Sequence, residues 1–160
     1  MANKVGYVTA SVGLLTDVDT VQRNTLGAKV FDDAGGEYIY LPGVAALVAG
    51  DFVFFNISTY VPVRLVTAIT AGAVAVAMGA TLAANWGWFQ ILGIVTSANI
   101  ATDGAANGKP LYASASAGRA TTTAAAGTAI FGAAAQGASA SNVGNAYFAA
   151  HPFTMANATL

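Results

Sequence analysis

The sequence predicts an all-β fold: a compact β-barrel or sandwich-like single domain with an irregular N-terminal arm. Three observations predict it. Short runs of β-branched and aromatic residues are bounded throughout by Gly, Pro, Asp and Asn, the punctuation expected of strands joined by tight turns. One run, Trp86 to Val95 (WGWFQILGIV), is a strand signal of unusual strength. Ala73 to Ala77 alternates Ala with Val, the period of two that gives a strand two different faces. At 160 residues the chain fits one domain, which should bury roughly 70% of its unfolded surface. No fixed-period repeat or linker divides it. We assign residues 1–27 to an N-terminal arm or lead-in and 28–160 to the β-rich domain.

The arm mixes short apolar pieces with Thr, Asp and Gly, and Thr16 to Arg23 is its locally polar stretch. From Ala28 the texture changes. Ala28 to Phe31 and Glu37 to Leu41 flank Asp32-Asp33-Ala34-Gly35-Gly36, which reads as a hairpin. Pro42-Gly43 and Gly50-Asp51 are turns, and Phe52 to Asn56 is an aromatic strand. Val61 to Val66 contains Pro62, which favours an edge because proline donates no ladder hydrogen bond. In Ala73 to Ala77, Val74 and Val76 share one face and the alanines the other. The Trp86 run is expected centrally, with Trp86, Trp88 and Gln90 on one side and Phe89 and Ile91 on the other, unless a bulge at Gly87 shifts the register. Leu111 to Ala115 is a further strand, Ala117-Gly118-Arg119 a hairpin tip, and Ile130-Phe131 and Tyr147-Phe148 anchor the last strands.

Charge is sparse: six Lys plus Arg and seven Asp plus Glu make 8% of the chain, against about 25% in an ordinary soluble domain. Lys4, Arg23, Lys29, Arg64, Lys109 and Arg119 lie far apart in sequence, so no phosphate-tracking patch is legible and a nucleic-acid partner is not expected. A net charge of −1 and a mean hydropathy of +0.60 predict exposed apolar surface and self-association. With no cysteine, neither disulfides nor thiolate metal sites enter. Leu65 to Ala84 is apolar over about the length of a spanning helix. It is nevertheless Ala-dominated, holds Gly72, Gly79 and three threonines, and has no basic cluster at its ends, so no membrane partner is expected. Met1 to Thr20 lacks the pattern of a secretory signal, and the mature chain is expected to begin near Met1.

Catalytic chemistry is not expected. His151, beside Pro152, is the sole histidine and is placed in an exposed tail. No serine or threonine sits in a nucleophile-elbow pattern, and no Walker or dinucleotide motif is present. Asp17 with Asp19, or Asp32 and Asp33 with Glu37, are the carboxylates that could take a hard cation. Their spacing is nonspecific and Asp-Gly sequences ordinarily make turns, so no metal and no cofactor is assigned. Tyr38, Tyr40, Trp86 and Trp88 could form a sugar-stacking platform, but aromatic residues on strands more often pack in a core or a subunit interface. With Phe89 they are the candidate core or trimer-interface residues.

Tyr38 to Val44 (YIYLPGV), Gly50 to Val53 (GDFV), Gly87 to Ile91 (GWFQI) and Leu111 to Ala113 (LYA) resemble the capsid decoration, or cement, proteins encoded beside the major capsid protein of tailed bacteriophages. The likeness spans about Ala28 to Ala134 and departs from the family pattern at Arg119, where an apolar residue followed by an acid is expected. It implies a β-rich homotrimer on the outer surface of the virion capsid, clamping major capsid proteins near three-fold and quasi-three-fold positions. On this reading the arm grips the shell, with Lys4, Tyr7, Leu14, Leu15 and Arg23 as candidate contacts. The alternatives are a glycan- or host-surface-binding module of a phage fibre or secreted assembly, and a self-polymerising shell or tail subunit.

Overall fold

The computed structural model describes residues 13–68, 72–103, 105–124 and 129–154. Among these every regular element is a strand: β1 (Val18–Asp19), β2 (Lys29–Phe31), β3 (Glu37–Pro42), β4 (Phe52–Phe55), β5 (Pro62–Arg64), β6 (Gly72–Ala77), β7 (Trp86–Asn99), β8 (Pro110–Ala113), β9 (Ala120–Thr121), β10 (Ala129–Ala135) and β11 (Val143–Thr154). All the strand ladders are antiparallel, in the order β2-β3-β7-β6-β11-β10-β8-β9, with β4 and β5 joined through β6 and β1 laid on β7. The fold is therefore all-β, as the turn spacing predicts.

Asp32 closes the first hairpin with its own side chain. Its Oδ1 accepts from the N–H groups of Ala34 (3.0 Å) and Gly36 (2.6 Å), and its Oδ2 from the Tyr38 hydroxyl (2.6 Å), the local side-chain bonding that makes Asp a turn residue. Among the described residues β5 pairs with β4 alone, so Pro62 occupies the edge its chemistry requires.

β7 is the organising strand, pairing with β1, β3, β6 and β11. Gly87 stays in register, opposite both Leu41 and Val18. The irregularity falls instead near Gly93: the β3–β7 register slips between Tyr38↔Gln90 and Glu37↔Leu92. Gly93 has φ of 90° and lies against the hairpin turn, where a Cβ would stand 3.1 Å from the Gly36 Cα. A side chain would be strained there and would push the turn away. The buried Gln90 amide donates to the carbonyls of Leu92 (2.9 Å) and Ile94 (3.0 Å), on either side of Gly93.

Alternation along β6 and β7 fills three apolar layers. Val74 and Val76 join Phe52, Leu65, Val95, Ile100, Leu111, Ile130 and Phe148 in the largest. Ala75 and Ala77 join Ile39, Leu41, Leu47, Val53, Phe55, Phe89 and Ile91 in the second. Tyr38, Tyr40 and Trp88 form the third, flanked by Leu15, Leu26, Val30 and Trp86.

The sheet is not closed into a barrel. It curls in a sandwich-like manner, so that β8, β9 and β10 face β4 and β6 across the largest layer. The tip of the β8–β9 hairpin returns to β4: Gly118 donates to the Leu65 carbonyl (2.8 Å), and Phe52 donates to the Gly118 carbonyl (2.8 Å). Beneath that tip the buried Asp51 carboxylate pairs with Arg64 (3.0 Å) and accepts from the Asn99 amide (2.7 Å).

The described part of the N-terminal segment, from Gly13 to Gly27, is irregular apart from β1 but lies on the domain. Leu15 and Leu26 pack over the third layer. Asp19 accepts from the Tyr40 hydroxyl (2.6 Å) and pairs with Arg23 (3.2 Å). Leu65 to Ala84, read for its span-like length, contains β6. Among the described residues no helix is long and apolar enough to cross a membrane.

Candidate functional site

The most chemically distinctive place in the structure is made where β11 leaves its neighbours. Phe148 pairs with Gly93 of β7 and with Ala133 of β10, and pairing with β10 resumes only at Phe153↔Phe131. Among the described residues β6 pairs with β11 only at Phe153 and Thr154. Residues 149–152 thus bulge out of the ladders, where the missing N–H of Pro152 forfeits no strand pairing. The gap they leave is a cavity of about 260 Å³ with Ile39, Phe55, Tyr60, Ile91 and Pro152 in its walls. It adjoins a second hollow, of about 380 Å³, through the shared residues Ile57, Ala73, His151 and Pro152. Together they form a cleft on the face of the second apolar layer.

One wall is held by an unusual turn. Asn56 Oδ1 accepts from the N–H groups of Ser58 (2.8 Å) and Thr59 (3.2 Å), and the Tyr60 N–H closes the turn onto the Asn56 carbonyl (2.7 Å). Tyr60 takes φ of 56°, a left-handed conformation costly for an aromatic residue. Its ring lies where a Cβ on Gly27 would stand, so Gly27 is the residue that lets the ring seat.

At the rim, Glu37 is gripped from two sides. Lys29 Nζ stands 2.8 Å from Oε1 and His151 Nε2 stands 2.6 Å from Oε2. Burial alone pushes the Glu37 carboxyl up, but the hydrogen bonds and charges of Lys29 and His151 outweigh it and hold the carboxyl below its ordinary value. The trio clasps β2, β3 and β11 across the bend of β7. Expectation and structure differ on His151, which belongs to β11 rather than to a tail. Nothing near it in sequence marks this, because its partner is 114 residues away.

The cation-site candidates resolve into structural roles. Asp32 is taken up by its turn and Tyr38, and Asp17 accepts from the Leu14 N–H (2.9 Å). Among the described residues no group of three or more His, Asp or Glu is placed to hold a metal ion. Asp103 accepts from the hydroxyls of Thr121 and Thr122 and from the N–H of Thr123. Although burial works against it, these bonds lower its pKa to about 2.

The candidate aromatic residues separate by burial. Tyr38, Tyr40, Trp88 and Phe89 are buried within the single chain, Trp86 is half-buried, and Tyr40 meets Trp88 edge-on at 5.1 Å. The Tyr40 hydroxyl, bonded to Asp19 in this interior, is pushed up to about 12, mainly by burial. These rings are interior packing and present no open stacking platform. Of the candidate arm contacts, Leu14 is exposed, Leu15 is half-buried on the third layer and Arg23 is paired with Asp19. Lys4 and Tyr7 lie outside the described residues. Comparison with protein-family models, curated proteins and solved structures returned no match.

Proposed function

We propose that this chain is a structural capsid decoration protein that binds the outside of a tailed-phage head as a homotrimer and stabilises contacts between major capsid proteins. The motifs from Tyr38 to Ala113 carry the likeness to that family. The observation that carries the physical side is how charge and apolar surface are distributed. Several of the chain's few charges are engaged with one another, as in Asp51–Arg64 and Glu37–Lys29–His151. Meanwhile Phe31, Ile57, Val61, Val63, Ile94 and Phe153 stand exposed. Such a surface suits a protein that works by packing against neighbours, because association removes apolar area from water. Repetition around a shell then multiplies modest contacts into avidity.

The deciding experiment is a cryo-EM comparison of particles with and without this chain. Density lost only at outer positions between capsomers is expected; density lost in the tail or fibres would overturn the proposal. Light scattering on the purified chain should show a closed trimer that adds to preformed shells. Open-ended polymerisation would favour a shell or tail subunit instead.

A further inference from the structure

We propose that Asn107 is a site of spontaneous deamidation. Its side-chain amide is lost through a cyclic imide formed with the Gly108 nitrogen, at a rate set by the hydrogen bond that holds that nitrogen in the fold.

Sequence and exposure together select the residue. Asn107-Gly108 is the only Asn-Gly pair in the chain, and glycine leaves the attacking nitrogen uncrowded and its backbone free to turn. Both residues lie exposed in the turn that leads into β8, closed by the Lys109 N–H on the Ala106 carbonyl (3.1 Å). Gly108 takes φ of 80° and has open space where a Cβ would stand.

The other described asparagines fit the reaction less well. Asn24, Asn56, Asn85, Asn99 and Asn142 precede Thr, Ile, Trp, Ile and Val, whose bulk shields the nitrogen that would attack. Asn145 precedes the small Ala146, but that residue is buried in β11 between β7 and β10. Asp103-Gly104 could close the same ring with loss of water. Its carboxylate, however, accepts from the hydroxyls of Thr121 and Thr122, and an ionised carboxylate is a poor electrophile.

The step balances with water as the one co-reactant. The Gly108 nitrogen attacks Asn107 Cγ, the new N–Cγ bond forms, the Cγ–Nδ2 bond breaks, and ammonia leaves with the proton that Gly108 gives up. Water then opens the imide at either carbonyl, leaving aspartate or isoaspartate. Either product adds one negative charge to a chain whose net charge is −1.

The fold restrains this chemistry. Gly108 N–H donates to the Ala135 carbonyl (2.9 Å), and Ala135 N–H donates to the Lys109 carbonyl (2.8 Å). The Gly108 nitrogen cannot turn onto Cγ while it makes that bond, so only chains whose turn has opened from β10 react. Isoaspartate then preserves the damage. Its main chain runs through the former side-chain carbon, is longer by one atom, and no longer matches both bonds to Ala135. β8 is thereby loosened from β10 beside Leu111 and Ile130 of the largest layer.

The test incubates the full chain at mildly alkaline pH, in buffer and in denaturing urea. Ion-exchange mobility, peptide mass mapping and labelling by an isoaspartyl methyltransferase follow the products. A gain of about 1 Da and one negative charge is expected at Asn107 before any other asparagine, at least about tenfold more slowly in the folded chain than in urea. Gly108→Ala, read in urea where folding is not at stake, should slow the reaction at least about tenfold. Asn107→Ser should remove the first acidic species, and the separated isoaspartyl form should melt below the unmodified chain. Modification falling first on another residue, none at Asn107 in the folded chain, or indifference to Gly108→Ala would overturn the site. Equal rates folded and unfolded would overturn its control by the Ala135 bond.

Discussion

Gln90 stands where β7 bends, and its one amide serves two carbonyls on either side of Gly93. Replacing it with Leu keeps the bulk but takes the donor from both acceptors, at the half-buried Leu92 and the exposed Ile94. Gln90→Leu should cost about 1–3 kcal/mol, read as a lower denaturant midpoint at unchanged slope; unchanged stability would mean that the carbonyls find other partners. Carboxylates behave in the opposite sense to such neutral groups, since their worth depends on pH. Asp103 has a folded-state pKa of about 2 against an ordinary 3.8, and Asp32 and Glu37 are also held below their ordinary values of 3.8 and 4.5. Folding therefore favours their ionised forms. The stabilisation is full above these ordinary values and is lost as pH falls through them toward the folded-state values. Thermal melts should thus show a falling midpoint as pH drops from about 5 to about 2. Thr122→Val, which removes one donor to Asp103, should flatten part of that fall.

At the scale of elements, strands with a strict period were readable in advance. Val74 and Val76 enter one layer and Ala75 and Ala77 the other, because a pleated strand leaves no choice once both faces are covered. Pro62 marked its edge for the same local reason. Two elements resisted. Both glycines of the β7 run could mark a bend; it came at Gly93 and not at Gly87, and the Gly35-Gly36 turn lies against Gly93 there. His151, beside Pro152, was read as lying in an exposed tail, yet it belongs to β11, whose bulge accommodates that proline. The N-terminal segment supplies a prediction at this scale. Deleting residues 1–27 removes Leu15, Leu26 and the Asp19–Tyr40 bond from the third layer, so it should lower the melting temperature by several degrees, as a loss of about 1–3 kcal/mol does in a domain of this size. A melting temperature unchanged by the deletion would show that the segment contributes nothing to the fold.

Across the whole molecule, sparse charge and exposed apolar residues predict that concentration drives association. Val61→Ser with Val63→Ser, on the exposed β4–β5 hairpin, should shift light-scattering mass toward the monomer while changing stability by no more than about 0.5 kcal/mol. A mass unaffected by the pair would move the self-association surface elsewhere. Composition, turn chemistry and period two determined by themselves that this chain is all-β, where most strands lie, which faces are buried and that its surface is poor in charge. Each depends on residues near one another in sequence. The Glu37–His151 clasp and the open cleft beside it were decided by tertiary structure alone. They arise where β11 meets β3 across β7, and contacts between residues a hundred positions apart leave no local pattern to read.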